Sequence, residues 1–352
     1  MCRHLCAAQA ALDACKGLDS TQTEPGLYPD SHANDAAVVK QLTRPDPSSF
    51  ANSDIVKVLN YHLDLAADFD STTFKGCVVL TVETVVDNAE VIVLDIRDVN
   101  ITSAASVASG TDVSGTATPL DWWVTRKEAK LGQAVVVRLP AGLAKGAKAF
   151  LKLEYSTAPT ASALQWLRPE QTEGKQHPYL FSQCQAIHAR SLLPCHDTPG
   201  VKTTYSATLR VPAPLQALMT AILDNEVAEE VTVDGKPYNQ FRFTQAVPIP
   251  IYLIGILIGN LKKRDLSPRS AVWSEPEVVD KAAWEFEDIE RILGAAEKLC
   301  GPYQWGRYDL AVLPPAFLYG GMEVGLISYI FFSFRTCLDV NKPCPEHICM
   351  FE

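Results

Sequence analysis

The chain has 352 residues, long enough for two domains with substantial cores. Apolar residues make up 47% and charged residues 20%, an ordinary globular balance. The net charge of -10, with no long run of Lys or Arg, argues against a nucleic-acid partner.

The ten cysteines are irregularly spaced and outline no disulfide framework. The first residues, Met1 to Gln9, lack the apolar segment of a signal peptide. The longest apolar stretches, Pro248 to Gly259 and Val324 to Phe334, fall short of the roughly 18 residues a membrane span needs. The expectation is a soluble, cytoplasmic protein with reduced thiols and no membrane partner. In that setting the sequon Asn100-Ile101-Thr102 carries no weight.

Taken in order, residues 1–52 read as a flexible leader, rich in Ala, Asp, Thr and Pro, with one short helix over Ala7 to Lys16. From Asp54 the period becomes two. Leu59, Tyr61, Leu63 and Leu65 alternate with polar residues, and Val78, Leu80 and Val82 repeat the pattern. Val91 to Ile96, Val135 to Leu139, Phe150 to Tyr155, Thr203 to Val211 and Gln240 to Thr244 add strands, and Ile249 to Gly259 reads as one fully apolar strand. Strands this frequent, split by Gly, Pro, Asn and Asp, predict a large antiparallel β domain. Past Asn260 the pattern changes, and a boundary falls near residue 261. Ala283, Phe286, Ile289, Leu293, Ala296 and Leu299 have helical spacing within Glu277 to Leu299, with Gly301 as a stop. Tyr308 to Leu313 follows as a short buried strand.

Two segments concentrate chemistry. Leu164-Gln165-Trp166 and the stretch Tyr179 to Pro199 place Gln183, Gln185, His188, Arg190, His196 and Asp197 in an apolar setting. The second segment is Tyr319-Gly320-Gly321-Met322-Glu323. Read alone, Glu323 is a solvated loop carboxylate and Gln185 a satisfied core amide. His188 and His196 lie eight apart across a proline, whereas metal pairs on a helix face are three or four apart, so structural hydrogen bonds are the expectation. Arg190 and Asp197 suit a structural ion pair. Cys184 and Cys195 read as buried thiols with no base to activate them. Cys337, Cys344, His347 and Cys349 match no zinc spacing, and nor do Cys2, Cys6 and Cys15.

The Ser-Gln-Cys-Gln-Ala-Ile-His and Leu-Pro-Cys-His-Asp-Thr-Pro strings, Val247-Pro248-Ile249-Pro250 and the Gly-Gly-Met-Glu run together resemble the zinc aminopeptidase (gluzincin) family of the leukotriene A(4) hydrolase type. The resemblance covers about Ser53 to Glu323. It implies a mainly β N-terminal domain over 53–260, a large antiparallel, saddle-like β sandwich. The first α/β elements of an incomplete thermolysin-like domain would follow over 261–323, and residues 324–352 form a divergent tail. It also implies a site for peptide N-termini. Glu323 would bind the free α-amino group, Gln185 would share that task with Gln183 nearby, and Tyr319 would line the pocket. Gly320 and Gly321, beside Met322, would let substrate backbone approach closely.

The family's zinc-binding H-E-x-x-H is absent from the sequence, and Val324 stands where G-x-M-E-N has asparagine. No catalytic residue and no metal ligand can therefore be assigned, and zinc is expected only in the full-length family. Introns open on GT, and GTN codons encode valine. Val324 directly after the last family residue fits read-through of an unspliced donor, or the end of a short isoform. The resemblance implies a zinc aminopeptidase that cleaves N-terminal residues from peptides, with these 352 residues inactive for want of the zinc site; the alternative is a non-catalytic peptide-binding or interaction module. Phe286, Ile289 and Tyr329 to Phe332 are expected to lie exposed and to favour self-association.

Overall fold

The structure, a computed structural model, describes residues 36–224, 228–317 and 320–331. The chain divides into two compact units. One is built from residues up to Arg168 together with His177–Asn260, the other from Pro169–Gln176 and the residues from Leu261 onward.

In the first unit a short helix α1 (Ala36–Val39) precedes β1 (Val56–Asp68), β2 (Thr73–Thr84), β3 (Val91–Ile96), β4 (Val99–Ser106), β5 (Thr118–Pro119), β6 (Trp122–Val124), β7 (Gln133–Arg138) and β8 (Lys148–Thr157). Then come β9 (Leu164–Leu167), β10 (Tyr179–Ser182), β11 (Lys202–Pro212), β12 (Gln216–Met219), β13 (Ile222–Leu223), β14 (Glu229–Val233), β15 (Lys236–Pro250) and β16 (Ile256–Gly259). Among the described residues the largest sheet has the order β13-β15-β11-β1-β2-β8-β4-β5, with β14 also on β15. Its pairings are antiparallel except β1 with β11, which run parallel with Tyr61 opposite Tyr205. Smaller sheets, β12-β16-β10-β9 and β3-β7-β6, complete the unit.

Alternation explains the packing. Tyr61, Leu63 and Leu65 of β1 and Val78, Leu80 and Val82 of β2 enter one core shared with Ile92, Leu94, Leu180 and Ile256. Strand β3 is buried throughout because both its faces are covered: Ile92, Leu94 and Ile96 join the main core, while Val91 and Val93 face a second cluster. That cluster corrects the reading of a flexible leader as far as residue 52. Val38, Leu42 and Phe50 pack with Val91, Val93, Trp123 and Val136, so the chain is folded from at least residue 38. The earlier part of the leader, with the helix over Ala7 to Lys16, lies outside the described residues. The apolar run from Ile249 to Gly259 is also not one strand. Pro250 has no N–H to continue a ladder, β15 ends there, and a 3-10 turn over Ile251–Leu253 intervenes before β16.

The second unit contains β17 (Lys262–Ser267), β18 (Ser270–Ser274), α2 (Pro276–Glu285), α3 (Ile289–Cys300), β19 (Asp309–Leu313), β20 (Gly321–Val324) and β21 (Ile327–Phe331). Their sheet has the order β17-β18-β19-β21-β20, with β19 parallel to both β18 and β21. Helix α2 starts on Pro276, whose missing N–H costs nothing at a helix N-terminus. The single helix read over Glu277 to Leu299 is two helices. No Gly or Pro marks the break; Phe286 and Ile289 on either side both turn into a core with Val272, Leu310, Val312 and Ile330. The expected exposure of Phe286, Ile289 and Tyr329 is thereby corrected, since all three are buried. Residues Ile327–Phe331, read as divergent tail, form a strand between β19 and β20.

Candidate functional site

Strand β10 is buried at every position and pairs with β16 and β9. Its last residue, Ser182, accepts the Ile256 N–H through Oγ at 2.8 Å. The chain then turns through Gln183, Cys184 and Gln185. The Gln183 N–H donates to the Ala163 carbonyl (2.8 Å), and its side-chain Oε1 accepts the Gln185 N–H (3.1 Å). The Gln185–Ala186 peptide is cis. His188 N–H donates to the Cys184 carbonyl at 2.9 Å, closing the turn, and a 3-10 turn over Ala189–Ser191 follows. Ser191 Oγ donates to the His188 carbonyl (2.8 Å) and accepts the Ala163 N–H (2.9 Å). Gln185 and Ala186 are exposed, while Cys184 and every residue from Ala189 to Thr198 that the loop sends inward are buried. Gln185 is thus a polar ledge on a dry footing.

The footing is charged. Arg190 is fully buried. Its Nε donates to Asp197 Oδ2 (2.9 Å), Nη1 to the Leu131 carbonyl (2.8 Å), and Nη2 to the Ser48 carbonyl (2.8 Å) and the Asp197 carbonyl (3.2 Å). Asp95 of β3 lies 3.6 Å from Nη1 and accepts the Phe50 N–H (2.7 Å), the Asp197 N–H (3.1 Å) and the Ser49 hydroxyl. The planar guanidinium can serve four acceptors from one position, which a lysine cannot. Burial pushes both carboxyls up, Asp197 to about 6, against the opposing pull of Arg190. One signal in the sequence could have pointed here: Asp95 is a lone carboxylate in an otherwise apolar strand, and a buried charge must find partners. The Arg190–Asp197 ion pair was read from the sequence; Asp95, Ser48 and Ser49 were not.

In the second unit, β20 is an edge strand. Met322 is buried and Gly320, Gly321 and Glu323 are exposed. A Cβ at Gly321 would lie 3.2 Å from Glu323 Oε1, and at Gly320 it would meet open space. Glu323 pairs with Ser328 of β21. The hairpin turns on Gly325, whose φ of +73° suits a two-residue connection. Tyr303 Oη donates to the Gly325 carbonyl at 2.6 Å, and Tyr308 Oη and Ser328 Oγ are 3.0 Å apart. Gln183 and Gln185 therefore come together in the first unit, and Gly320 to Glu323 in the second. Tyr319 lies outside the described residues.

The other candidates resolve as follows. His188 Nδ1 is 2.6 Å from Ser162 Oγ. His196 is buried, and burial draws it down to about 4, a neutral ring at ordinary pH. Cys184 and Cys195 are buried and burial pushes both thiols up, so neither is a ready nucleophile. Among the described residues no three His, Cys, Asp or Glu side chains gather to hold a metal, so these residues do not fit a zinc centre. Cys337, Cys344, His347 and Cys349, like Cys2, Cys6 and Cys15, lie outside the described residues. Among the described residues no helix is long and apolar enough to cross a membrane.

The first unit, a mainly β domain with an exposed, hydrogen-bonded polar ledge, is the kind that peptidases of one family place first. Residues 57–253 match the Peptidase M1 N-terminal domain. Over 291 residues the chain is 42% identical to leukotriene A-4 hydrolase of Xenopus laevis, covering 81% of this chain and 45% of that protein. It is 38% identical to leucine aminopeptidase 2 of Chaetomium globosum, covering 81% of this chain and 44% of the relative. The structure of yeast LTA4 hydrolase in complex with bestatin matches with a TM-score of 0.71 at 31% identity, over 86% of this chain and 44% of that one. The chain belongs to the M1 zinc aminopeptidase family and spans less than half the length of these relatives.

Proposed function

We propose that this chain carries the peptide-N-terminus-recognising part of an M1 aminopeptidase. In this reading Glu323 is the carboxylate of the second unit that pairs with a free α-amino group, and Gln185, backed by Gln183, is the polar contact that the first unit offers a peptide. A carboxylate facing an ammonium is a charge-assisted bond and fixes where the peptide stops, which is the geometry of an exopeptidase. The observation that supports it most is the ledge itself: Gln185 is exposed on a hydrogen-bonded loop whose Cys184 and Ala189 to Thr198 are buried. A satisfied core amide, the bland reading of Gln185, would be buried.

We infer that these 352 residues bind such peptide ends without hydrolysing them, a reading supported by the lack of H-E-x-x-H in the sequence. The buried free thiols Cys77, Cys184 and Cys195 support a cytoplasmic setting. The test compares a tripeptide with its N-acetylated form by calorimetry, beside an aminoacyl chromogenic substrate and zinc analysis. Preference for the free amine, lowered roughly 10- to 100-fold by Glu323→Gln, supports the reading. Turnover with stoichiometric zinc would establish a working enzyme instead, and equal affinity for both peptides would remove amine recognition.

A further inference from the structure

Gln185 projects from a loop whose shape is set some five residues later. Between Gln185 and Arg190 the chain makes two tight turns, closed by His188 N–H on the Cys184 carbonyl and Ser191 N–H on the His188 carbonyl, both at 2.9 Å. Arg190 begins no such local bond with its side chain. Its guanidinium instead reaches outward to three other parts of the first unit: Leu131 before β7, Asp197 at the far end of the loop, and Ser48 in the segment before β1.

The segment before β1 answers with bonds of its own. Thr198 Oγ1 donates to Asp46 Oδ2 at 2.5 Å. Asp46 also accepts the Ser48 N–H (2.8 Å) and hydroxyl (2.7 Å), which presents the Ser48 carbonyl to Arg190. Asn52 donates to the Gln41 and Val91 carbonyls and accepts the Val93 N–H. Val38, Leu42 and Phe50 anchor the segment in apolar surface. Residues 38–52 therefore form a strap across β3, tied to the recognition loop through the buried cation Arg190, the buried carboxylate Asp95 and the Thr198–Asp46 hydrogen bond.

We propose that Arg190 is a positioning residue for Gln185, and that the strap 38–52 is part of the same device, clamping the recognition loop through the bonds just described. The inference rests on Gln185 having the role given above. Arg190 touches no substrate; it acts by holding the loop that presents Gln185. Loosening the strap then loosens the ledge, even though no strap residue reaches it.

The test uses the full chain in four variants: Arg190→Lys, Ser49→Ala, Thr198→Val and, as control, Leu80→Ala, which opens a cavity in the core elsewhere. Two readouts are taken on each folded protein: hydrogen exchange of the Gln185, His188 and Ser191 amides, and the affinity ratio of a free over an N-acetylated tripeptide. Loop exchange is expected to quicken about tenfold or more in Arg190→Lys, and less in Ser49→Ala and Thr198→Val, with the amine preference falling in the same order. Leu80→Ala should lose stability while keeping the ratio. If Arg190→Lys does not fold, Ser49→Ala and Thr198→Val decide by the same readouts. Unchanged loop exchange in the folded hub and strap variants overturns the proposal, as does an equal loss of amine preference in Leu80→Ala. If the wild type shows no amine preference, the proposed function fails by itself, and the exchange rates still decide whether the hub holds the loop.

Discussion

Gln185 and Glu323, the residues proposed to recognise a peptide end, are held by opposite means, each within its own unit. Gln185 stands on a footing where a guanidinium and two carboxylates are sealed from water and satisfied mostly by backbone groups. Glu323 stands on an edge hairpin fixed by a glycine turn and a few hydroxyl bonds, in a unit whose ion pairs are at least partly exposed. The same interaction has different consequences in the two places. A buried charge that loses its partner keeps the whole desolvation penalty, whereas an exposed one is rehydrated. The support under Gln185 is therefore buried charge, and that under Glu323 is turn geometry and apolar packing.

The largest effect expected from this contrast follows from removing one arginine in each unit. Arg190→Met should cost ~3–5 kcal/mol, because Asp95 and Asp197 are left buried without their cation. Arg269 contacts Glu290 and Glu297 at 2.8–2.9 Å, as well formed on paper. Yet Arg269→Met should leave the unfolding midpoint nearly unchanged, since its partners can turn to water. Denaturant titration of both variants checks the pair, and similar losses would break the comparison.

Acid should find the same buried footing. His196 sits at about 4, below its ordinary 6.5, so the unfolded chain takes up this proton first. Its share of stability is complete above pH 6.5 and is lost as pH falls toward 4. At about 1.4 kcal/mol per pH unit the share is ~3 kcal/mol. Asp197, raised from 3.8 to about 6, acts with the other sign: it binds a proton first in the folded chain, so its share is lost as pH rises through that window. The two neighbours oppose each other between pH 6 and 4. His196→Asn should therefore gain stability relative to wild type as pH drops across that interval. Parallel pH-stability curves for the two proteins would refute the assignment.

The same physical division decided what could be read in advance. Alternation in β1 and β2 and the apolar run of β3 are local, and the strands lie where those patterns fall. Even there Leu59 was placed one step out of phase, because a bulge between Val58 and Asn60 moves the buried side to Tyr61. The loop residues Gln183 and Gln185 came from resemblance, and their exposure could not be read from periodicity. The strap, the parallel pairing of β1 with β11 and the break at Phe286 depend on contacts distant in sequence. The hairpin β17–β18 escaped for another reason: Lys262, Lys263 and Arg264 give an edge strand that looks like a solvated turn.

A smaller effect should appear at the Glu323 hairpin. Gly325 has φ +73°, and a Cβ there would come within 3.0 Å of Trp305 Nε1. Gly325→Ala should cost ~1–2 kcal/mol of local stability. It should also weaken protection of the β20–β21 amides while leaving those of β10 and the Gln185 loop untouched. Exchange mass spectrometry separates the two, and a change that spreads to the loop would contradict independent support of the two recognition residues.

The smallest effect concerns association. With Phe286, Ile289 and Tyr329 buried, the large apolar side chains left outward among the described residues of the second unit are Trp284, at 71% exposure, Leu299, at 87%, and Ile292, at 38%. Ile292 and Leu299 are seven residues apart on α3 and so share a face, with Ala295 and Ala296 exposed between them. If copies of the chain associate through apolar surface, α2 and α3 are where it should occur. Trp284→Ser with Leu299→Ser should shift sedimentation toward monomer at high concentration, and Leu59→Ser in the first unit should not. The expected change is a few-fold in dimerisation constant, because two exposed side chains each contribute only part of the roughly 1.5–3 kcal/mol of a fully buried one. Unchanged association in the double variant would assign any self-association to surface outside α2 and α3.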